Sequence, residues 1–183
     1  MLEVEIKLRL TDAAGFCAVL AESGWLPAPQ VFERNTVFDT PDQTLRDSGR
    51  LLRVREIDSR AIVTVKLPSE LDGAHKVREE HQFETDNASE AHAVFTGLGY
   101  VPSWIYEKRR TTFRREGEAG IIEVDETPIG DFAEMEGEAE WIDRTAPAFG
   151  FAKQDYVLES YRGLFDAWLT ETGRDVEHMR FAR

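Results

Sequence analysis

From its second residue the chain alternates, with Leu2, Val4, Ile6 and Leu8 apolar and Glu3, Glu5, Lys7 and Arg9 ionisable between them. A period of two predicts a β-strand with one apolar and one charged face. Further strands are predicted at Phe32–Phe38, Leu51–Glu56, Ala61–Leu67, Val77–Glu84, Tyr106–Arg115, Gly120–Asp125 and Phe132–Glu140, eight with the opening one. Turn-rich clusters separate them: Thr40-Pro41-Asp42, Asp58-Ser59, Glu116-Gly117 and Thr127-Pro128-Ile129-Gly130. Such short connections favour antiparallel neighbours. Antiparallel strands in this number predict a closed barrel.

Helical spacing appears in four places. Asp12 caps a helix through Ser23, with Phe16, Val19 and Leu20 inward and Gly24 as its stop. Asn87, followed three residues later by Glu90, opens a second with Ala91, Val94, Phe95 and Leu98 inward. A third covers Ser160–Thr172, carries Tyr161, Leu164, Phe165 and Trp168 on one side and ends at Gly173. A short fourth is predicted at Arg144–Phe149, limited by Pro147 and Gly150. The fold class is therefore α+β: an eight-stranded antiparallel closed β-barrel with helices packed outside, one domain over residues 1–183. Residues 174–183 are expected to be frayed or to touch a partner.

A faint repeat aligns Leu51-Leu52-Arg53-Val54-Arg55-Glu56 with Ile121-Ile122-Glu123-Val124-Asp125-Glu126. Apolar positions match while the basic pair becomes acidic. The same offset sets Thr64 and Lys66 opposite Glu134 and Glu136.

Composition narrows the partners. A net charge of −13 opposes a general nucleic-acid or anionic-membrane binder, so any anion must meet a local basic cluster. The single cysteine, Cys17, allows no intramolecular disulfide, no apolar run is long enough to span a bilayer, and no signal peptide is expected. A cytoplasmic setting is expected. Neither Cys17 nor His75, His81, His92 and His178 shows the spacing of a zinc site. Trp25, Trp104, Trp141 and Trp168 read as core or helix–sheet contacts.

The charged strand faces carry the chemistry. Glu3, Glu5 and Lys7 share one; Arg53 and Arg55 another; Lys66 stands on the next strand; Arg78, Glu80, Gln82 and Glu84 follow. Lys108, Arg110 and Arg114 fall together, and Glu123 with Asp125 and Glu134 with Glu136 and Glu138 complete the set. A half-exposed sheet also turns charges to water. Here, however, the helices need the apolar strand faces, which sends the charged faces inside. Interior ions require compensation, either from each other or from a polyphosphate with a divalent cation, whose oxygens suit Arg and Lys and whose metal suits carboxylates. No Gly-x-x-x-x-Gly-Lys phosphate loop is present, so side chains would hold the anion.

Glu3-Val-Glu-Ile-Lys7 resembles the Glu-x-Glu-x-Lys signature of the CYTH family, the triphosphate tunnel metalloenzymes. The likeness continues through Val37-Phe-Asp-Thr-Pro-Asp42, Gly49-Arg-Leu-Leu-Arg-Val-Arg55, Lys66, Glu80, Lys108, Arg110, Asp125, Gly130-Asp-Phe-Ala-Glu-Met-Glu136 and Ser160-Tyr161. The resemblance implies a tunnel that binds a triphosphate with Mg2+ or Mn2+. It implies metal ligation by Glu3, Glu5, Glu123, Asp125, Glu134 and Glu136, and phosphate binding by Lys7, Arg53, Arg55, Lys66, Lys108 and Arg110. Glu5, Lys66, Glu80 and Glu136 would serve the chemical step, and the Tyr161 hydroxyl would reach the tunnel wall.

Hydrolysis of inorganic triphosphate, thiamine triphosphate or a nucleoside triphosphate is the leading expectation. The alternatives are a class IV adenylate cyclase, which forms cyclic AMP and pyrophosphate, and a silent polyphosphate-binding module. The expected partner is a triphosphate-bearing small molecule, with no nucleic acid and no membrane; a homodimer is allowed.

Overall fold

The computed structural model of the chain describes residues 2–182; Met1, and Arg183 of the tail read from the sequence, lie outside them. In chain order the elements are β1 (Leu2–Leu10), α1 (Ala13–Glu22), β2 (Leu26–Pro27), β3 (Val31–Asp39), α2 (Thr44–Asp47), β4 (Leu51–Ile57), β5 (Arg60–Lys66) and β6 (Glu70–Asp72). They continue with β7 (His75–Thr85), α3 (Ala88–Gly97), β8 (Val101–Arg114), β9 (Ile121–Thr127), β10 (Gly130–Glu136), α4 (Ala139–Ala148), a 3₁₀ turn (Lys153–Asp155), β11 (Tyr156–Val157) and α5 (Tyr161–Thr172).

Hydrogen bonding runs β1-β10-β9-β8-β3-β4-β5-β7, and β7 returns to β1 through Leu2–Glu5 opposite Glu79–Lys76. This is a closed eight-stranded antiparallel barrel with five helices outside it. The short strands β2, β6 and β11 attach to β8, β7 and β1. Two hairpins share one register: Leu51 pairs with Lys66 and Ile57 with Arg60 in β4–β5, as Ile121 pairs with Glu136 and Thr127 with Gly130 in β9–β10. The faint repeat in the sequence is thus a repeat in pairing. Around the closed ring, β3 and β8 separate these hairpins on one side and β1 and β7 on the other, so they face each other across the interior.

The apolar strand faces point outward and meet the helices. Ile6, Leu8, Ile122, Val124, Ala133 and Met135 pack with Leu20 of α1 and with Trp141, Ile142 and Ala146 of α4. Phe38, Leu52, Val54, Ala61 and Val63 form a second cluster beneath Ala88, Ala91 and Phe95 of α3. Caps stand where expected: Asp12 accepts from the Gly15 amide (2.9 Å), Asn87 from that of Glu90 (3.1 Å) and Ser160 from that of Gly163 (3.2 Å).

Several expectations need correction. Val19, Val94 and Leu98 are exposed, because α1 and α3 contact the barrel along narrower stripes than their apolar residues allow. The last barrel strand ends at Glu136, not Glu140, and the fourth helix starts at Ala139, not Arg144. Gly137 and Gly120 explain the break: they lie against the Trp141 indole, so close that a Cβ at Gly120 would overlap the ring. Glu138 therefore belongs to the helix entry and leaves the charged strand face. Gly120→Ala should destabilise the fold by about 1–3 kcal/mol through overpacking, read as a lowered urea midpoint with an unchanged slope; an unaltered midpoint would show that Trp141 can move freely.

Residues 174–182 run back along β8. Met179 is buried and exchanges backbone hydrogen bonds with Ile105 (3.1 Å) and Glu107 (2.8 Å), while Arg109 lies over the Phe181 ring. The surface that this segment meets is β8 of its own chain.

Candidate active site

Alternation along each strand sends its ionisable residues into one interior space. Glu3, Glu5, Lys7, Arg53, Arg55, Lys66, Lys108, Arg110, Glu123, Glu134 and Glu136 line a cavity of about 830 Å³. A second opening, about 600 Å³, shares Glu3, Arg53, Lys66 and Glu136 and adds Glu80, Gln82 and Arg114. Asp125 lies behind the wall, fully buried. The opposed hairpins differ in sign. Arg53, Arg55 and Lys66 project from β4–β5, whereas Glu123, Glu134 and Glu136 project from β9–β10.

Most of these charges are paired inside the protein. Lys66 sits 2.5 Å from both Glu3 and Glu80. Lys7 bridges Glu134 (3.0 Å) and Glu5 (3.4 Å), and Lys76 is 2.6 Å from Glu5. Arg110 gathers Glu123, Asp125 and Glu134. Asp125 also accepts from Lys108 (2.9 Å) and from the Tyr161 hydroxyl (2.6 Å), so α5 reaches the tunnel wall as expected. The ammonium groups of Lys7 and Lys108 stand 5.4 and 5.2 Å from the centre of the Tyr161 ring.

Two groups stand outside this pairing. Arg53 makes no ion pair among the described residues: its guanidinium bonds the Tyr106 hydroxyl (3.1 Å) and the Thr64 hydroxyl (3.2 Å), and its Nε is buried without a partner. Glu136 likewise has no cation bonded to it among the described residues. Burial, with the nearby carboxylates of Glu3 and Glu123, pushes its carboxyl up to about 7 against the pull of Lys66. The Glu3 carboxyl is also raised, chiefly by burial, although Lys66 opposes this. Glu5 behaves oppositely. Burial favours its neutral form, but Lys7, Lys76 and Lys66 outweigh Glu134 and burial and hold it at about 2. Glu134 is likewise held well below the usual carboxylate range by Lys7, Arg110 and Lys108, despite burial.

The interior contains residues that the alternation did not single out. Glu33 lies 3.2 Å from Arg55 and 3.6 Å from Lys108; burial alone would raise its pKa, yet these cations bring it to about 2. Asn35 accepts from Arg55 (3.1 Å). Tyr106 and Lys76 complete the lining. Arg78 spends its guanidinium on the carbonyls of Leu67 and Gly49, tying the ends of β4 and β5 to β7.

The donors suit a hard divalent cation, being carboxylate oxygens alone. No group of three His, Cys, Asp or Glu stands at ligating range among the described residues. A hard dication can also be held by one or two carboxylates together with water and substrate phosphates. Glu136 and Glu3 fit this part, since their raised pKa values mark a place where negative charge exceeds its compensation. Asp125 does not, because its oxygens are already engaged by Arg110, Lys108 and Tyr161.

An antiparallel barrel whose acidic and basic hairpins confront each other across a common cavity is a tunnel enzyme suited to a polyanion accompanied by a cation. The chain belongs to the CYTH family: the CYTH domain model matches residues 1–161. The Aeromonas hydrophila protein named adenylate cyclase CyaB is 29% identical over 181 residues, covering 92% of this chain and 91% of that protein. A solved structure from Vibrio parahaemolyticus superposes with a TM-score of 0.78 at 22% identity, over 91% of this chain and 98% of that one. HpAC1 from Hippeastrum, described as revealing a dominant triphosphatase activity, has a TM-score of 0.68 at 21% identity, over 95% and 97% of the two chains. No helix among the described residues is long and apolar enough to cross a membrane.

Proposed function

We propose that the tunnel hydrolyses a triphosphate with the aid of Mg2+ or Mn2+. The observation that carries this reading is a pair of opposite groups on the facing hairpins: among the described residues Arg53 has no carboxylate at ion-pair distance and Glu136 has no cation bonded to it. A metal–polyphosphate complex satisfies both, placing anionic oxygens at Arg53 and a dication at Glu136 and Glu3. When bound, the metal would offset charge on the phosphate oxygens and make a bound water more acidic. Arg53 and Arg55 hold the phosphate chain from the basic hairpin. Lys66, fixed between Glu3 and Glu80, keeps a positive charge between the two walls. Glu5 and Glu134 hold Lys7 and Lys76 in position, and Asp125 does the same for Lys108 and Arg110. The fold likeness to HpAC1 agrees with a hydrolytic reading.

The decisive measurement separates the products formed from tripolyphosphate, thiamine triphosphate and ATP with each metal. Orthophosphate is expected. Pyrophosphate with cyclic AMP would replace hydrolysis by cyclisation, the second reading, which the CyaB name favours. No product from any substrate would leave a binding module. Arg53→Ala should raise KM about tenfold or more, the loss of one hydrogen bond between charged groups; an unchanged KM would remove Arg53 from the phosphate site.

A further inference from the structure

The basic wall of the tunnel offers hydrogen-bond donors that the protein itself leaves unmet. β3 lies between β4 and β8, and its Asn35 stands opposite Arg55 on one side and Tyr106 on the other. Asn35 Oδ1 accepts from Arg55 Nε (3.1 Å), which fixes the amide and leaves Nδ2 as a donor, buried without an acceptor. Arg53 Nε is buried in the same state. Tyr106 adds a third such donor. Its hydroxyl accepts from Arg53 Nη1 (3.1 Å), so its own hydrogen turns away from the guanidinium, and it meets no acceptor among the described residues. The residue lines the cavity, and its ring is held by stacking on Trp104 (4.8 Å between centroids) with Tyr161 beyond (6.1 Å). Burial would raise the pKa of this phenol, yet Arg53, Arg55 and Lys108 bring it below the ordinary tyrosine value, which makes the hydroxyl a stronger donor.

We infer that the Tyr106 hydroxyl is a phosphate-binding group in its own right, donating its hydrogen to the anionic oxygen that Arg53 also holds. The inference rests on the triphosphate reading of the tunnel. The phosphate contacts implied by the family resemblance are all cations, and Lys7, Lys66 and Arg110 must loosen existing ion pairs to reach a ligand. The phenol has no ion pair to give up. Its stacked ring also fixes the donor before any ligand arrives, so little side-chain freedom is lost on binding. A role as an anchor for Arg53 alone makes a different prediction: it would vanish once Arg53 is removed.

The test measures tripolyphosphate binding by titration calorimetry with Mg2+, at a temperature where turnover is negligible, in the parent, Tyr106→Phe, Arg53→Gln and the double variant. Tyr106→Phe removes one oxygen and should raise Kd about tenfold or more, the loss of a hydrogen bond to a charged group. The same substitution should still raise Kd at least fivefold in the Arg53→Gln background. A second reading comes from the parent alone, labelled with tyrosine carrying 13C at Cζ. Of its four tyrosine signals, the one missing from Tyr106→Phe should shift when tripolyphosphate is added with Mg2+ and stay in place with Mg2+ alone. Parent-like affinity in Tyr106→Phe, an effect confined to the background that retains Arg53, or an unmoved signal would overturn the contact and leave the phosphate site in place. A parent that binds no tripolyphosphate would overturn both.

Discussion

Replacing Arg110 with alanine is expected to cost the fold about 3–5 kcal/mol, the usual consequence of breaking a buried ionic network from one side. Arg110 is the common partner of Glu123, Asp125 and Glu134, from neighbouring positions on β9 and β10. Without it, Glu123 keeps only the Thr112 hydroxyl, and Asp125 must rely on Lys108 and Tyr161. Urea unfolding at neutral pH should show a much lower midpoint. Raising ionic strength should recover little, because salt screens these interior groups weakly. A loss below about 1 kcal/mol, the size of a surface pair, would mean that the network is open to water.

Glu136→Gln should separate stability from turnover. The folded protein holds the Glu136 proton up to about pH 7, whereas an ordinary glutamate releases it near 4.5. Across this window the native state binds more protons than the unfolded chain, so the group lowers stability as pH rises and its full penalty is present above pH 7. The glutamine variant escapes that penalty. It should match the parent at pH 4 and exceed it by about 1–3 kcal/mol at pH 8 in metal-free buffer, after allowance for partial exposure. Added Mg2+ should stabilise the parent and narrow the gap, and chelation should restore it. Triphosphate turnover should fall by about 100-fold or more, on the scale of losing one transition-state electrostatic contact. A variant less stable than its parent at pH 8 would reverse the assignment, since Glu136 would then have a cation of its own.

The strands with the cleanest alternation were the most legible. Along β1, β9 and β10, Glu3, Glu5, Lys7, Glu123, Glu134 and Glu136 face the tunnel while Ile6, Leu8, Ile122, Val124, Ala133 and Met135 face the helices, so period and direction agree there. Glu33 escaped notice because its outward neighbours are Arg34 and the exposed Phe32, which give β3 no apolar outer face at that end. Lys76 was hidden by the Gly73–His75 stretch, which looks like a turn but leads directly into β7. The alternation of Glu134, Glu136 and Glu138 ran past the true end of β10, because the approach of Trp141 to Gly137 is a tertiary contact without a local signal. Which acid meets which base was also beyond the sequence. Pairing Lys7 with Glu134, or placing Arg110 among three carboxylates, requires the register around a closed ring.

The seam of that ring has a kinetic consequence. β1 precedes both of its barrel neighbours, and it meets β7 through Leu2–Glu5 and β10 through Glu5–Leu10. The ring cannot close until the strand that begins the chain has been joined by two that form much later in sequence. Contacts so distant along the chain make assembly slow, on the millisecond-to-second scale of β-rich domains. Until then, β1 presents alternating Leu, Val and Ile with an unsatisfied backbone edge, which makes this interval the one most exposed to misassociation between chains.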